Sequence, residues 1–380
     1  MSGKTALTII LRRDPMDASL DKRYMDAAIR LGRWHLARTG TNPSVATILV
    51  NDLGHGPVIV GSGITGIGGR PHAEAGALAE AGDRAKGATA YVTLEPCAHH
   101  GRTPPCADAL VNVGVSRVVG ALTDPDDRVS GAGFAILEAA NVEISQNCSV
   151  HEARTVLGAY LNRSVTKRAQ VTLKLAVSKD GKIGKKDEPN FSITGTQARA
   201  QSHLLRASHD AIIIGIGTAL ADDPTLTCRL PGMEMRSPIR IVLDTGGQLP
   251  LDCKLVHTID QAPLYVATAY PQSDNAQALA AKGVNIVSCD LYKGRIALPE
   301  LMEDLAAIGI TNALVEGGAE IARSYLADDL VRSIALFESD VIVGHNGIMS
   351  PISKDNLPSG FEINRQFQFG DDRFFEIELS

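Results

Sequence analysis

Short β-branched runs alternate with helix-forming segments along almost the whole chain, and this alternation limits the folds open to it. In the N-terminal part, strand patterns at residues 45–50, 58–60, 90–94 and 117–121 are interrupted by helical patterns. The helices that we expect there lie at residues 21–39, 72–81 and 106–113. Alternation of this kind is typical of α/β proteins with a largely parallel sheet.

A second alternating series begins near residue 171, after a helical connection at residues 151–168. Its predicted strands lie at residues 171–177, 211–215, 239–244, 264–268, 284–288, 312–315 and 334–337. The two series show no internal repeat, so we predict two different domains. We expect a flexible leader at residues 1–20, a first domain at residues 21–166 and a second at residues 167–380.

Composition excludes several classes of protein. The chain has 380 residues and a formal net charge of −6, so it lacks the basic footprint of a nucleic-acid binder. No segment reaches the roughly 20 apolar residues that span a bilayer. The apolar stretch at residues 5–11 is short and precedes its arginines, unlike a signal peptide. Six cysteines are too few for a disulfide scaffold. We therefore expect a cytoplasmic protein whose paired cysteines bind metal, with no membrane or nucleic-acid partner.

Three potential zinc ligands occur at the ends of predicted elements. His72 opens one helix, Cys97 follows a strand, and Cys106 opens the next helix. One histidine and two cysteines match the three protein ligands of an open catalytic zinc site. A helix N-terminus also favours a thiolate at Cys106. Glu74, two residues beyond His72, could take a proton from a zinc-bound water and deliver it to a leaving amine.

The spacing of these residues is close to that of zinc nucleobase deaminases, His-x-Glu followed by Pro-Cys-x-x-Cys. Here eight residues separate the two cysteines. The alternatives are a structural zinc site, or two unrelated buried cysteines. His99 and His100 could be additional ligands, but their loop beside Arg102 suits contact with a phosphate or substrate better.

The segment TLEPCAHHGRTPPC at residues 93–106, together with His72-Ala-Glu74, closely resembles the deaminase half of the bifunctional riboflavin-biosynthesis deaminase–reductase family. The resemblance implies a cytidine-deaminase-like three-layer domain that binds one zinc ion through His72, Cys97 and Cys106. It implies that Glu74 is the proton shuttle. The residues that we expect to contact the pyrimidine substrate are Asn42, His99, Arg102 and Asp124.

The chain departs from this family at two places in the first half. The family commonly has Val-Gly where this chain has Val45-Ala46, and Asp-Pro-Asn where this chain has Asp124-Pro-Asp126. Aspartate cannot donate the hydrogen bonds of an asparagine amide. A substrate role for Asp126 therefore does not follow from the resemblance.

From about residue 171 the chain resembles the reductase half of the same family, which has a dihydrofolate-reductase-like fold. The matching stretches are residues 174–181, 203–207, 210–229, 238–244 and 316–318. The resemblance implies that the cofactor is NADPH, and we expect Lys174 to orient or protonate the sugar oxygen. The expected substrate contacts are Asn190, Arg206, Leu226, Arg229 and Glu316. The expected cofactor contacts are Ala176, Ser192, Gly217, Thr218, Asp222, Thr245 and Gly318.

The residues themselves permit this interpretation without requiring it. Gly217 and Gly318 follow strands and open helices, where backbone N–H groups can receive phosphate, although turn glycines also occur there for packing alone. Arg206 and Arg229 could clamp a phosphate, or be solvated surface charges. Likewise Asp222 and Glu316 could orient ligand groups, or be a helix N-cap and a strand-end carboxylate.

The second half departs from the family pattern at the segment Asn190-Phe-Ser-Ile-Thr194, where the family has Ser-x-Trp-Ile-Thr. Ser192 thus replaces a tryptophan, and Lys179 replaces the usual leucine beside Asp180. These changes leave two interpretations open. The reductase is functional, or the second domain is degenerate and only binds substrate.

We predict a bifunctional enzyme whose substrate is a pyrimidine ribonucleotide. It would deaminate 2,5-diamino-6-(5-phosphoribosylamino)pyrimidin-4(3H)-one hydrolytically and then reduce the ribosyl side chain to ribityl with NADPH. The alternatives are a deaminase of free cytidine or adenine nucleotides, and a nucleic-acid-editing module, which the acidic charge disfavours. The resemblance also suggests a homo-oligomer.

Overall fold

The structure is a computed structural model that describes residues 15–99, 104–126, 130–186 and 188–380, with only the backbone at residues 15–17. Two compact units make up the chain, Met1–Leu161 and Asn162–Ser380. The predicted boundary, between residues 166 and 167, lies a few residues beyond this division.

The first unit contains a mixed sheet and the helices that cover it. Its strands are β1 (Ala46–Asp52), β2 (Pro57–Ile64), β3 (Thr89–Val92), β4 (Arg117–Gly120) and β5 (Glu143–Ser145). Its helices are α1 (Pro15–Gly32), α2 (Ala73–Ala81), α3 (Cys106–Val113), α4 (Ala132–Ala139) and α5 (Val150–Thr166), the last of which continues into the second unit. Short 3-10 turns lie at Arg33–His35, Ile67–Gly69 and Gly82–Ala85.

The order of the first sheet is β2-β1-β3-β4-β5. β3, β4 and β5 run parallel, but β1 is antiparallel to both of its neighbours. The expectation of a largely parallel sheet is therefore wrong for this half, because a short turn joins β1 to β2 as a hairpin. The apolar cores on the two faces contain α1 with α5, and α2 with α3 and α4, which confirms the three-layer architecture.

Helix α1 differs from its prediction at both ends. It begins at Pro15, so residues 15–20 of the predicted leader are helical, whereas residues 1–14 lie outside the described residues. It ends at Gly32, well before the predicted end at residue 39. The Ser44 hydroxyl donates to the Gly32 carbonyl at 2.7 Å, which ties the end of the helix to the start of β1. The predicted α3 is confirmed at both bounds, and α2 begins at Ala73, one residue later than predicted.

Strand β2 and helix α2 approach so closely that only glycine fits at the contact. A Cβ atom on Gly63 would overlap the carbonyl oxygen of Ala73. We expect Gly63→Ala to lower the free energy of unfolding by about 1–3 kcal/mol, since overpacking must displace the helix that carries His72 and Glu74. Chemical denaturation measures the loss. Gly76→Ala on α2 is the control, because its Cβ would make only ordinary contacts and alanine favours a helix. Equal stability of the two variants would contradict this account of the packing.

Besides a nine-stranded mixed sheet, the second unit contains two two-stranded sheets. Its strands are β6 (Gln170–Val177), β7 (Lys182–Lys185), β8 (Ala211–Gly215), β9 (Ile239–Leu243), β10 (Leu264–Thr268), β11 (Asn285–Ser288), β12 (Leu291–Tyr292), β13 (Arg295–Ile296), β14 (Asn312–Glu316), β15 (Val331–Glu338), β16 (Gly347–Met349), β17 (Phe361–Phe369) and β18 (Asp372–Leu379). Its helices are α6 (Thr196–Ala207), α7 (Ile216–Asp222), α8 (Lys254–His257), α9 (Asp274–Ala281), α10 (Leu298–Ala307) and α11 (Ala319–Ala327). A 3-10 turn lies at Glu234–Arg236.

The main sheet has the order β11-β10-β9-β8-β14-β6-β15-β18-β17. The pairs from β11 to β15 are parallel, and β18 is antiparallel to both β15 and β17. The predicted strands β8 and β10 are confirmed at both bounds. Neighbouring residues of β8 face opposite cores, with Ile213 packed beside α10 and α11 and Ile212 packed beside α8 and α9. Parallel strands end at the same edge, so the segments after β8 and β14 meet there.

Candidate active sites

Three ligand atoms converge in the first unit, as the motif spacing predicts. His72 is the N-cap of α2, Cys106 is the first residue of α3, and Cys97 lies in the loop after β3. Nδ1 of His72 is 3.6 Å from Sγ of Cys97 and 3.3 Å from Sγ of Cys106. The three ligand atoms all lie within 4.8 Å of one another.

The distances fit a zinc ion. Zinc bonds to nitrogen and sulfur place the ligand atoms of a tetrahedral site about 3.4–3.8 Å apart. The two measured sulfur–nitrogen distances, 3.3 and 3.6 Å, lie close to this range. Among the described residues no fourth protein ligand belongs to the cluster, which matches the three protein ligands of a catalytic zinc site.

Glu74 lies in the first turn of α2, beside the metal ligands. Its side chain is buried, with 4% of the residue exposed. Burial raises the pKa of the Glu74 carboxyl, and a hydrogen bond with Cys106 opposes part of this rise. A carboxylate in this position can accept a proton from a water molecule beside the ligands and return it to a leaving group.

The two cysteines share hydrogen bonds in a way that the sequence did not indicate. The Cys106 thiol and backbone N–H both interact with Sγ of Cys97, the latter at 3.3 Å. The hydrogen bond from Cys106 lowers the pKa of Cys97 to about 4, whereas the same bond raises the pKa of Cys106. The first N–H of α3 therefore stabilises a thiolate at Cys97, and the thiolate expected at Cys106 stays a prediction.

The structure places Asn42 and His99 in partly buried positions. The Asn42 side-chain amide donates to the carbonyl of Gly69 at 2.9 Å, three residues before His72. Nδ1 of His99 is buried and has no hydrogen-bond partner among the described residues, so it is free to accept or donate a bond to a ligand. Arg102 and His100 lie outside the described residues. The substrate roles of these residues stay predictions.

Asp124 follows the end of β4 and is 7% exposed. Its carboxylate accepts the hydroxyl of Tyr160 at 3.0 Å and the backbone N–H of Asp126 at 2.9 Å. Burial raises the pKa of Asp124, while these two hydrogen bonds oppose the rise. Sequence reasoning missed Tyr160, because no motif links α5 to this loop.

Glu95 is another buried residue that sequence reasoning passed over, although it lies inside the motif at residues 93–106. Only 3% of it is exposed. Its carboxylate accepts backbone N–H groups from both sides of the turn between β4 and α4, including those of Asp124 and Gly133. Glu95 therefore connects the loop that carries Cys97 to the segment that carries Asp124.

The second unit contains a cleft of about 1700 Å³ at the carboxyl edge of its sheet. It is lined by Lys174 and by nearly all of the other predicted substrate and cofactor residues. These are Ala176, Asn190, Arg206, Gly217, Thr218, Asp222, Leu226, Arg229, Thr245, Glu316 and Gly318. Ser192 is exposed and does not line the cleft. The ligand contacts of all these residues stay predictions.

An ionic triad lies in this cleft. Arg206 of α6 binds the Glu316 carboxylate with two parallel hydrogen bonds, at 2.9 and 3.0 Å. Nζ of Lys174 lies 3.8 Å from the same carboxylate and 5.6 Å from the centre of the Phe337 ring. Arg206 also donates to the Thr227 carbonyl at 3.2 Å, so three of its five N–H groups are engaged within the protein. Its predicted phosphate contact would fall to the two remaining N–H groups.

Burial and the neighbouring charges shift the pKa values of the triad in opposite directions. Burial alone would raise the pKa of Glu316, but the charges of Arg206 and Lys174 outweigh it and hold that pKa at about 2. Burial lowers the pKa of Lys174, an effect that Glu316 partly offsets. Glu316 is therefore a permanent anion that orients two cations, and Lys174 gives up a proton more easily than a lysine in water.

Two glycine-containing corners meet beside the triad. Gly215 is the N-cap of α7 and Gly318 is the N-cap of α11. A Cβ atom on Gly317 would lie 3.5 Å from Oγ1 of Thr218, so the two corners are neighbours. Adjacent helix N-termini with an uncrowded backbone can receive the phosphates of a dinucleotide. The residues present therefore fit a nicotinamide dinucleotide.

Asn190 lines the cleft and is also bonded to Asp222. Its backbone N–H donates to the Asp222 carboxylate at 2.9 Å, and its side chain donates to the Asp222 carbonyl at 3.0 Å. Asn190 has a positive φ of 56°, a conformation that asparagine tolerates better than most residues. Asp222 is the last residue of α7, not the N-cap that we considered as the alternative.

Two family sequence models match the chain. The model described as the cytidine and deoxycytidylate deaminase zinc-binding region matches residues 18–122. The model described as the RibD C-terminal domain matches residues 169–372. Each match covers most of one of the two structural units.

Full-length relatives match both units together. The riboflavin biosynthesis protein RibD of Aquifex aeolicus is 36% identical, over 92% of this chain and 96% of that protein. RibD of Escherichia coli is 37% identical, over 85% of this chain and 89% of that protein.

Solved structures resemble the whole chain as well. RibD of Acinetobacter baumannii has a TM-score of 0.83 and 32% identity, covering 96% of this chain and 99% of that chain. A diaminohydroxyphosphoribosylaminopyrimidine deaminase/5-amino-6-(5-phosphoribosylamino)uracil reductase of Thermotoga maritima has a TM-score of 0.84 and 28% identity, covering 96% of this chain and 100% of that chain. The likeness thus extends across both sites.

Proposed function

Because the chain belongs to the RibD family of bifunctional deaminase–reductases in riboflavin biosynthesis, we propose a substrate and a role for each site. The first unit hydrolyses the amine of 2,5-diamino-6-(5-phosphoribosylamino)pyrimidin-4(3H)-one, releasing ammonia. The second unit then reduces the ribosyl group of the product to ribityl with NADPH. The observation that carries the proposal is the convergence of the His72, Cys97 and Cys106 ligand atoms beside the buried Glu74.

In the deamination, His72, Cys97 and Cys106 would hold a zinc ion, which would supply Lewis-acid activation of a water molecule. Glu74 accepts a proton from this water and returns it to the departing amine nitrogen, so that ammonia leaves and a carbonyl replaces the amine. Its burial keeps competing bulk water away from the carboxylate. Asn42 and Asp124 hold the pyrimidine in place.

In the reduction, the cleft would hold NADPH, which would supply the hydride for the sugar carbon. Lys174 orients the sugar oxygen and donates a proton to it, while Glu316 holds the ammonium group in position from 3.8 Å. The corners at Gly217 and Gly318 hold the cofactor phosphates, and Arg229 contacts the substrate phosphate. A degenerate second unit is not favoured, because the RibD C-terminal match spans residues 169–372 and the triad is complete.

The test supplies the purified, zinc-loaded protein with the diaminopyrimidinone nucleotide and NADPH. We expect ammonia release followed by NADPH oxidation. A chelator should stop both with this substrate, but leave NADPH oxidation intact when the already deaminated nucleotide is supplied. A protein that releases no ammonia from this nucleotide, but does so from cytidine nucleotides, would overturn the substrate assignment.

We further propose a cytoplasmic homo-oligomer. No helix among the described residues is long and apolar enough to cross a membrane. Strand β17 lies at the edge of its sheet and exposes Ile363 and Phe367, so its unpaired backbone groups offer a template for pairing with another chain. Light scattering during size-exclusion chromatography tests the assembly, and the mass of a monomer would contradict it.

A further inference from the structure

We propose that Glu95 is a positioning residue for deamination, which holds the segment carrying Asp124 in register with the loop carrying Cys97. The inference rests on the proposed function, because it assigns the pyrimidine nucleotide to this site. Glu95 itself touches neither the metal ligands nor, in this proposal, the substrate. Its effect passes through the backbone of the two segments that it connects.

The carboxylate of Glu95 accepts backbone N–H groups with both oxygens. Oε2 accepts from Asp124 at 3.2 Å and from Gly131 at 3.0 Å. Oε1 accepts from Gly133 at 2.9 Å and from Phe134 at 3.4 Å. No ion pair of Glu95 occurs among the described residues, so four N–H groups replace water around a buried charge.

This arrangement fixes the relative position of the two segments, because each hydrogen bond that is lost leaves part of the carboxylate charge unsolvated. A buried carboxylate without donors is strongly unfavourable, and hydrogen bonds from backbone amides to a charged acceptor are short and directional. Two of the donors, Gly133 and Phe134, belong to the first turn of α4, whose positive end also favours an anion. The Glu95 carboxylate therefore holds both the first turn of α4 and the backbone of Asp124.

The packing around Glu95 leaves little freedom for an alternative. A Cβ atom on Gly133 would overlap the carbonyl oxygen of Pro96, so α4 rests directly on the residue between Glu95 and Cys97. On the far side, Tyr160 holds the Asp124 side chain at 3.0 Å. Cys97 and Asp124 thus keep a fixed relative position only while Glu95 keeps its four donors.

The test compares Glu95→Gln with the wild-type enzyme in the ammonia-release assay. Glutamine preserves the side-chain volume. Its NH₂ group, however, replaces one carboxylate oxygen and cannot accept hydrogen bonds from the backbone N–H groups around it. Loss of about one to two charge-assisted bonds should raise KM for the nucleotide about tenfold. We expect kcat to change less than KM, zinc content to stay at one ion per chain, and reductase activity on the deaminated nucleotide to stay at the wild-type level.

A matched control separates positioning from general stability. Asp210 in the second unit caps backbone in the same manner, accepting N–H groups of Thr311 at 2.8 Å and Asn312 at 3.0 Å. Asp210→Asn should leave KM for deamination unchanged. If Glu95→Gln does not fold, Glu95→Asp keeps the charge but is too short to serve both sides, and the same rise in KM is expected.

The outcomes distinguish a failure of the proposed function from a failure of the positioning role of Glu95. A wild-type enzyme that releases no ammonia overturns the proposed function. A wild-type enzyme that releases ammonia, with an unchanged KM in the folded Glu95 variant, overturns the positioning role alone. An equal rise in KM for Asp210→Asn also overturns it, since both variants would then report only a loosened fold.

Discussion

Replacing Glu74 with glutamine is expected to stop ammonia release while leaving the reduction of the deaminated nucleotide intact. Glutamine has nearly the same shape but cannot accept a proton from water and return it to the amine. General acid–base catalysis contributes about 10²–10⁴-fold to a rate, and we expect kcat to fall by that amount. Ammonia assays, and NADPH oxidation with the deaminated nucleotide, measure the two activities in one preparation.

The same preparation should still hold one zinc ion per chain, because Glu74 is not one of the ligands that converge at the site. Glu80→Gln on α2 is the matched control. Glu80 accepts Ser62 hydrogen bonds at the opposite end of the helix, so its substitution should leave both activities near the wild-type level. Ammonia release by Glu74→Gln at the wild-type rate would assign the proton transfer to another group.

The sequence could predict the zinc site because its information is local. His72, Cys97 and Cys106 lie at the ends of short elements whose boundaries the chain marks with Pro71 and Pro105. Once two helix starts and a strand end are recognised, the ligand atoms can meet in few ways. The expectation of an open fourth position followed from counting ligands.

The partners of buried charges could not be predicted, because they come from distant parts of the chain. Arg206 and Glu316 are 110 positions apart, and no pattern in either segment pairs them. Asp21 and Arg117 form a similar pair, with Nη2 to Oδ2 at 2.6 Å, which fastens α1 to β4. Only the order of the strands brings such groups together.

The C-terminal hairpin shows a different limit. Apolar residues alternate with polar ones along β17, at Phe361, Ile363, Phe367 and Phe369, so a strand signal was present. A bulge between Ile363 and Arg365 turns the two halves of this pattern to opposite faces of the sheet, which the sequence did not indicate. The predicted strands end at residue 337, so this hairpin was not predicted. The antiparallel direction of β1 could not be predicted either, because strand direction depends on the connections between strands and not on the pattern within a strand.

Replacing Lys174 with glutamine is expected to abolish reduction while ammonia release continues. Lys174 is the only lysine that reaches the Glu316 carboxylate among the described residues, and burial lowers its pKa, which favours proton donation. Losing a general acid of this kind should reduce the rate of NADPH oxidation by about 10²-fold or more. The deaminated nucleotide should accumulate, as chromatography of the reaction products would detect.

The fold should tolerate this change because Glu316 keeps its two bonds to Arg206, at 2.9 and 3.0 Å, and so remains paired. Removing Arg206 instead would leave the buried Glu316 carboxylate without its main partner and would lower the free energy of unfolding by about 3–5 kcal/mol. A thermal melt near that of the wild type, with NADPH still bound in a fluorescence titration, therefore identifies a chemical defect. Lys182→Gln, which changes a lysine on β7 outside the cleft lining, should reduce NADPH oxidation little. If Lys174→Gln oxidises NADPH as fast as Lys182→Gln, the proton for the sugar oxygen comes from water or another side chain, and Lys174 only balances the charge of Glu316.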